Sequence, residues 1–139
     1  MHAEVISVGT EILLGQITDT NSTFISQRLA ELGIDVYFKT VVGDTEKRLL
    51  QALEIASGRS DIVILSGGLG PTKDDLTKQT VAKFLNCGLL TDKDALEYIE
   101  EYYRQNKWKM TDNNLLQAKY LEGSVSLPNE SGMAVGSYY

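Results

Sequence analysis

Four unbroken aliphatics, Ile62-Val63-Ile64-Leu65, run through Ser66 into Gly67-Gly68-Leu69-Gly70. A short apolar run that stops at glycine predicts a strand covered on both faces, the habit of a parallel sheet held between helix layers. The residues before it repeat a strand–helix alternation. Val5-Ile6-Ser7-Val8 is a β-rich run that stops at Gly9-Thr10. From Asn21 to Leu32, Ile25, Leu29 and Leu32 share one helical face, and Gly33 supplies the stop such a helix favours. Ile34, Val36 and Phe38 alternate as in a strand reaching about Val42. Asp44 or Thr45 then offers an N-cap for a helix with Leu49, Leu53 and Ala56 inward.

A β-α-β-α-β order of this kind predicts a three-layer α/β/α sandwich with a mostly parallel sheet and right-handed crossovers. The later part is less regular. Thr77 to Leu85 reads as a helix with Val81, Phe84 and Leu85 inward. Thr91-Asp92-Lys93-Asp94 reads as a capping box opening a longer helix through Leu96, Ile99 and Tyr103. Thr111 or Asp112 caps a short helix through Leu115, Leu116 and Ala118. Val125-Ser126-Leu127 and Met133-Ala134-Val135 read as two short strands joined by a turn. The 139 residues suit one domain with its own core. No closing helix follows the last strand-like run, so the expectation is a chain shortened at its C-terminal end.

Composition narrows the function classes. Thirteen Lys+Arg against 19 Asp+Glu leave a net charge of −6, which argues against sequence-independent nucleic-acid binding. No apolar run approaches a membrane span, no signal-peptide pattern opens the chain, and the one cysteine, Cys87, forms no internal disulfide. A soluble cytoplasmic protein is expected.

In open parallel sheets, ligands bind beyond the carboxyl ends of the strands. That directs attention to Gly9–Gly15 and to Ser66 through Thr77. In the second segment, three glycines lead into a helix whose first turn is read as carrying Asp74, Asp75 and Thr77. Glycines let backbone N–H groups close on an anion, and a helix N-terminus favours one. Two aspartates beside a phosphate repel it unless a divalent cation lies between, and oxygen ligands suit Mg²⁺ or Mn²⁺. The alternative is that Asp74 and Asp75 are capping charges; the glycines, which a cap does not need, favour ligand binding. Glu11 is either a third carboxylate on the same rim or a solvated loop residue. Asp19, Asn21 and Asp44 are N-caps or ligand contacts.

Two familiar nucleotide motifs are excluded. Lys73 does not follow a glycine, as a P-loop requires, and Gly68-Leu69-Gly70-Pro71-Thr72-Lys73 lacks the third glycine of the dinucleotide fingerprint. His2 is the one histidine, so neither a histidine metal site nor a catalytic triad has a basis. Cys87 has no neighbouring base and reads as a structural or surface thiol. Tyr98, Tyr102, Tyr103 and Trp108 read as core or as a subunit interface.

Taken together, several motifs resemble the amino-terminal domain of the competence/damage-inducible CinA family, within the superfamily of MogA, MoaB and the gephyrin E domain. They are Val8-Gly9-Thr10-Glu11-Ile12-Leu13-Leu14-Gly15-Gln16-Ile17, Asp19-Thr20-Asn21, Leu29 to Val36, Val42-Gly43-Asp44, Gly67 to Thr77, and Met110-Thr111 with Asn113-Asn114 and Gln117-Ala118. The resemblance spans residues 1–139 and implies a molybdopterin-binding-domain-like fold with its site at the glycine loop. It also implies metal-dependent hydrolysis of ADP-ribose to AMP and ribose 5-phosphate, or, as in MogA-like relatives, binding of molybdopterin without hydrolysis. The family's motif aspartate falls on Asp75 and a second acidic position on Asp44. One stretch departs: where relatives often carry Asn-Pro-x-Gly-Thr-Ala-Pro-Gly, this chain has Asn129 to Gly136 without either proline. The amidase domain of full-length relatives is not expected in these residues.

The site expected on this reading has Asp75, Asp74 and Asp44 as catalytic carboxylates. Asp75, Asp44 and Glu11 are the expected ligands of Mg²⁺, Mn²⁺ or Co²⁺. The phosphate or nucleotide falls to Ser66, Gly67, Gly68, Leu69, Gly70, Pro71, Thr72, Thr77, Gly9, Thr10 and Asn21. The expected partner is a nucleotide or a pterin phosphate, with no nucleic acid, no membrane, and a homo-oligomeric assembly.

Overall fold

The computed structural model describes residues 1–139, which divide into two compact units, Met1–Gly68 and Leu69–Tyr139. The first unit holds β1 (His2–Val8), a single helical turn α1 (Thr10–Leu13), α2 (Thr20–Glu31), β2 (Asp35–Val42), α3 (Glu46–Ser57) and β3 (Ile62–Ser66). Its three strands are all parallel, in the order β2-β1-β3. The chain thus moves to one side of β1 through α2 and to the other through α3. Right-handed crossovers place the two helices on opposite faces, giving the expected three layers.

Central position explains burial. Every residue of β1 from Ala3 onward is buried, whereas all five of β3 are only half-buried. The aliphatic run Ile62–Leu65 is therefore not covered on both faces as expected: it forms a sheet edge, and the doubly covered strand is β1. Ala3 and Val5 pack with Leu29, flanked by Ile25, Ile34, Val36, Ile62 and Ile64. On α3, Leu49, Leu53 and Ala56 are buried as the spacing predicts.

Ends of elements differ from expectation where local chemistry competes with periodicity. Leu32 lies beyond the last turn of α2 as its C-cap and is 74 % exposed, not inward. Asp19 caps α2, its Oδ1 accepting from the Ser22 amide at 3.0 Å while Oδ2 accepts from Ser7 Oγ at 2.5 Å. Thr45 occupies the N-cap position of α3 but its side chain makes no capping bond, and Asp44 is bonded elsewhere.

The second unit holds α4 (Thr77–Leu85), β4 (Leu89–Thr91), α5 (Lys93–Gln105), α6 (Asp112–Leu115), a 3₁₀ turn at Leu116–Ala118, β5 (Lys119–Leu121), β6 (Val125–Leu127) and β7 (Gly136–Tyr138). Its pairs β4–β5 and β6–β7 are antiparallel, so parallel pairing is confined to the first unit. The last strand starts after Met133-Ala134-Val135, which leads into it. Phe84 is 36 % exposed and not part of the inward stripe of α4. Asp92, not Thr91, caps α5 through the Ala95 amide, and its other oxygen accepts from Ser126 Oγ at 2.6 Å. Thr111 and Asn114 form a reciprocal capping box on α6, and Asn114 Nδ2 donates to the Tyr103 hydroxyl at 2.7 Å. Tyr102, Tyr103 and Trp108 meet edge to face, with centroids 5.9 to 6.1 Å apart. No helix is long and apolar enough to cross a membrane.

Candidate functional site

In the first unit the carboxyl ends of three parallel strands share one edge, and the two crossovers lead to opposite sides of β1. The crevice at such a switch point, here between β1 and β3, is where open α/β sheets bind ligands. Ser66, Gly67 and Gly68 end β3 there, and Gly9, Thr10 and Glu11 end β1. A β-carbon on Gly67 would lie 2.1 Å from the Val8 carbonyl oxygen, and its φ is +96°, so no other residue fits. Backbone thus closes on backbone at the switch point, and Gly68 follows with φ +66°.

Several expected donors already have protein partners. The Gly9 amide donates to the Val42 carbonyl at 2.9 Å, tying the ends of β1 and β2. Thr10 and Asp44 bond reciprocally: the Thr10 amide donates to Asp44 Oδ2 at 3.0 Å, and the Asp44 amide to Thr10 Oγ1 at 3.1 Å. Asp44 is accordingly a brace between β2 and α1 rather than a cap of α3. Glu11 is exposed and folds its carboxylate back toward Gly9. Asn21 is exposed in the first turn of α2.

The remaining expected residues, Leu69 through Thr77, belong to the second unit. There Asp75 turns back on its own loop. Its Oδ2 accepts from the Thr72 amide at 2.9 Å and from Thr72 Oγ1 at 2.7 Å, and the Gly70 amide also donates to the carboxylate. A β-carbon on Gly70 would meet Asp75 Oδ2 at 2.7 Å, so this glycine makes room for a carboxylate. Desolvation pushes the Asp75 pKa up, but these bonds outweigh it and hold the carboxyl below the usual range. Pro71 lies within this turn, Asp74 is exposed, and Thr77 is buried at the start of α4.

No group of three or more His, Cys, Asp and Glu side chains is placed to hold a metal ion. Asp44 and Asp75 are each engaged by amides, so the residues do not fit a resident metal cage. Mg²⁺ commonly takes one or two carboxylates and fills its remaining positions with water and substrate phosphate.

Two buried charged groups escaped the sequence reading. Glu4, 1 % exposed in the middle of the sheet, accepts from Arg59 Nε at 2.8 Å, Arg59 Nη2 at 2.9 Å and Thr40 Oγ1 at 2.6 Å. The Arg59 bonds hold its carboxyl below the usual glutamate range. Lys78, 7 % exposed, donates to the carbonyls of Leu116 and Gln117, and burial lowers its pKa to about 8. The available signal was spacing: Lys78 stands three and seven residues before Val81 and Leu85, on the inward stripe. The segment from Asn129 to Gly136 closes on itself, Asn129 Nδ2 donating to the Ala134 carbonyl and its Oδ1 accepting from the Ser131 amide, each at 3.0 Å.

Comparison with known proteins agrees with this architecture. The family described as "probable molybdopterin binding domain" matches residues 4–138. A protein of Lactiplantibacillus plantarum named as competence-damage inducible is 59% identical over 139 residues, covering 100% of this chain and 33% of its own length. A Streptococcus pyogenes protein of the same name is 57% identical, with 99% of this chain and 33% of its own covered. The chain therefore spans about a third of the length of these relatives. Among solved structures, the CinA protein of Thermoplasma acidophilum superposes with a TM-score of 0.86 at 38% identity, covering 98% of this chain and 79% of that one. MoaB of Pyrococcus furiosus, titled a tungsten cofactor synthesizing protein, gives a TM-score of 0.59 at 17% identity, covering 98% and 79%, and shares the fold. With its switch-point glycines, its Thr72–Asp75 turn and these matches, the chain belongs to the molybdopterin-binding domain family, as a CinA-type member.

Proposed function

We propose that this domain hydrolyses a nucleoside diphosphate sugar, ADP-ribose, to AMP and ribose 5-phosphate, the divalent cation entering with the diphosphate. The supporting observation is the close approach of Gly67 to the Val8 carbonyl at the switch point, which only a glycine permits. A glycine at such a strand end suits a phosphate. Asp75 is included as the carboxylate on which the family's motif aspartate falls. A divalent cation bound with the diphosphate would supply charge neutralisation and a more acidic water. In the net reaction one water is consumed: its oxygen bonds to one phosphorus, and the bridging P–O bond of the diphosphate breaks. Asp74, Asp44 and Glu11 are the further carboxylates the proposal tests one at a time.

Purified protein with Mg²⁺, Mn²⁺ or Co²⁺ is expected to release AMP from ADP-ribose, and Asp75→Asn to lower the rate by about 100-fold or more, the usual scale for a lost electrostatic group. Unchanged turnover in that variant removes Asp75 from the mechanism. A second reading, a molybdopterin-binding module without hydrolysis, is supported by the family's description. Calorimetry with ADP-ribose against a pterin phosphate separates the two, since tight pterin binding without AMP release selects the second.

A further inference from the structure

The face of the sheet toward α3 carries a groove of about 270 Å³, lined on one side by Thr40, Val41, Val42 and Gly43 of and just after β2. Arg48, Gln51, Ala52 and Ile55 of α3 line the other side, with Leu13 at one end. Its lining also holds the Glu4–Arg59 pair, whose charges cancel through two hydrogen bonds. The Arg59 guanidinium lies flat over the Phe38 ring, 3.6 Å from its centroid, so that group is held on two sides. Arg48 has no hydrogen bond or ion pair. The lining therefore carries one uncompensated positive charge, in a chain whose net charge is −6.

Stability does not account for Arg48. A cation in the first turn of a helix opposes the helix dipole, and α3 begins at Glu46. The walls beside it are apolar: Val41, Ile55 and Leu13 are 37 %, 57 % and 49 % exposed. Apolar walls with one unpaired guanidinium in the lining match a molecule with an apolar body and a single negative charge. The volume admits a ring with its acid group with room to spare.

From this geometry we infer a second binding site, for a small amphipathic monoanion such as an aromatic carboxylate, between β2 and α3. It is independent of the reading of the glycine segment. Benzoate titrated into the ¹⁵N-labelled protein is expected to shift the amides of Thr40–Gly43 and Arg48–Ile55, with a Kd of about 1 mM. Benzylamine, the same ring with the opposite charge, is expected to leave them in place. Arg48→Gln is expected to weaken benzoate binding by about fivefold or more, on the scale of a lost charge-assisted hydrogen bond, while Asp75→Asn leaves it unchanged. The proposal is overturned by absence of shifts at about twenty times that concentration, by equal binding of benzylamine, or by unaltered binding in Arg48→Gln. Shifts of the same amides that follow protein concentration alone overturn it too, since a second copy then covers the groove.

Discussion

Gly67 is the residue on which the switch point depends, because its backbone passes closest to another strand's. Alanine there places a β-carbon 2.1 Å from the Val8 carbonyl oxygen in a left-handed conformation. Gly67→Ala is expected to cost more than about 3 kcal/mol, read as a fall in the urea midpoint, because backbone on both sides resists movement. Glu4 is the second residue-scale test. Its carboxyl is held below the usual value of 4.5 by Arg59, so its ionised form favours the fold at neutral pH. That contribution is complete above 4.5 and is lost as pH falls through the lowered value. Glu4→Gln is expected to destabilise by about 1–3 kcal/mol at pH 7, with the gap from wild type narrowing in acid. A gap that does not change with pH would mean that the pair contributes by shape alone.

Elements reveal what a sequence reader can and cannot see. α4 was legible to the residue because Thr77 to Leu85 follows a glycine loop and ends at Asn86 in the left-handed conformation. The buried face of α3 followed from spacing, and that of α2 at Leu29 but not at Leu32. β3 misled because an aliphatic run reports the composition of a strand and not the number of its neighbours. The central strand, β1, reads less apolar than β3 since it includes Glu4 and Ser7, whose partners Arg59, Thr40 and Asp19 lie far away along the chain. Family resemblance put Asp75 forward as a candidate site residue. Its bonds to Thr72 and Gly70 were not legible, because a turn that closes on its own carboxylate has no periodicity. Lys78 shows the same limit from the other side. Burial depresses its pKa to about 8, so the folded form binds fewer protons than the unfolded chain between there and the usual 10.5. Stability is expected to rise with pH across that window, by up to about 1.4 kcal/mol per pH unit. Lys78→Met is expected to abolish the rise, and a wild-type slope in the variant would assign it to another group.

For the whole molecule, family and fold rest on residues 4–138 and on the match to the Thermoplasma acidophilum CinA structure. The chemistry rests on whether a diphosphate is held where parallel strands diverge. A crystal structure with ADP-ribose and Mn²⁺ tests this most directly. The account predicts the diphosphate at the carboxyl ends of β1 and β3, against Ser66–Gly68. A complex with those residues unoccupied and the diphosphate bound elsewhere would contradict it.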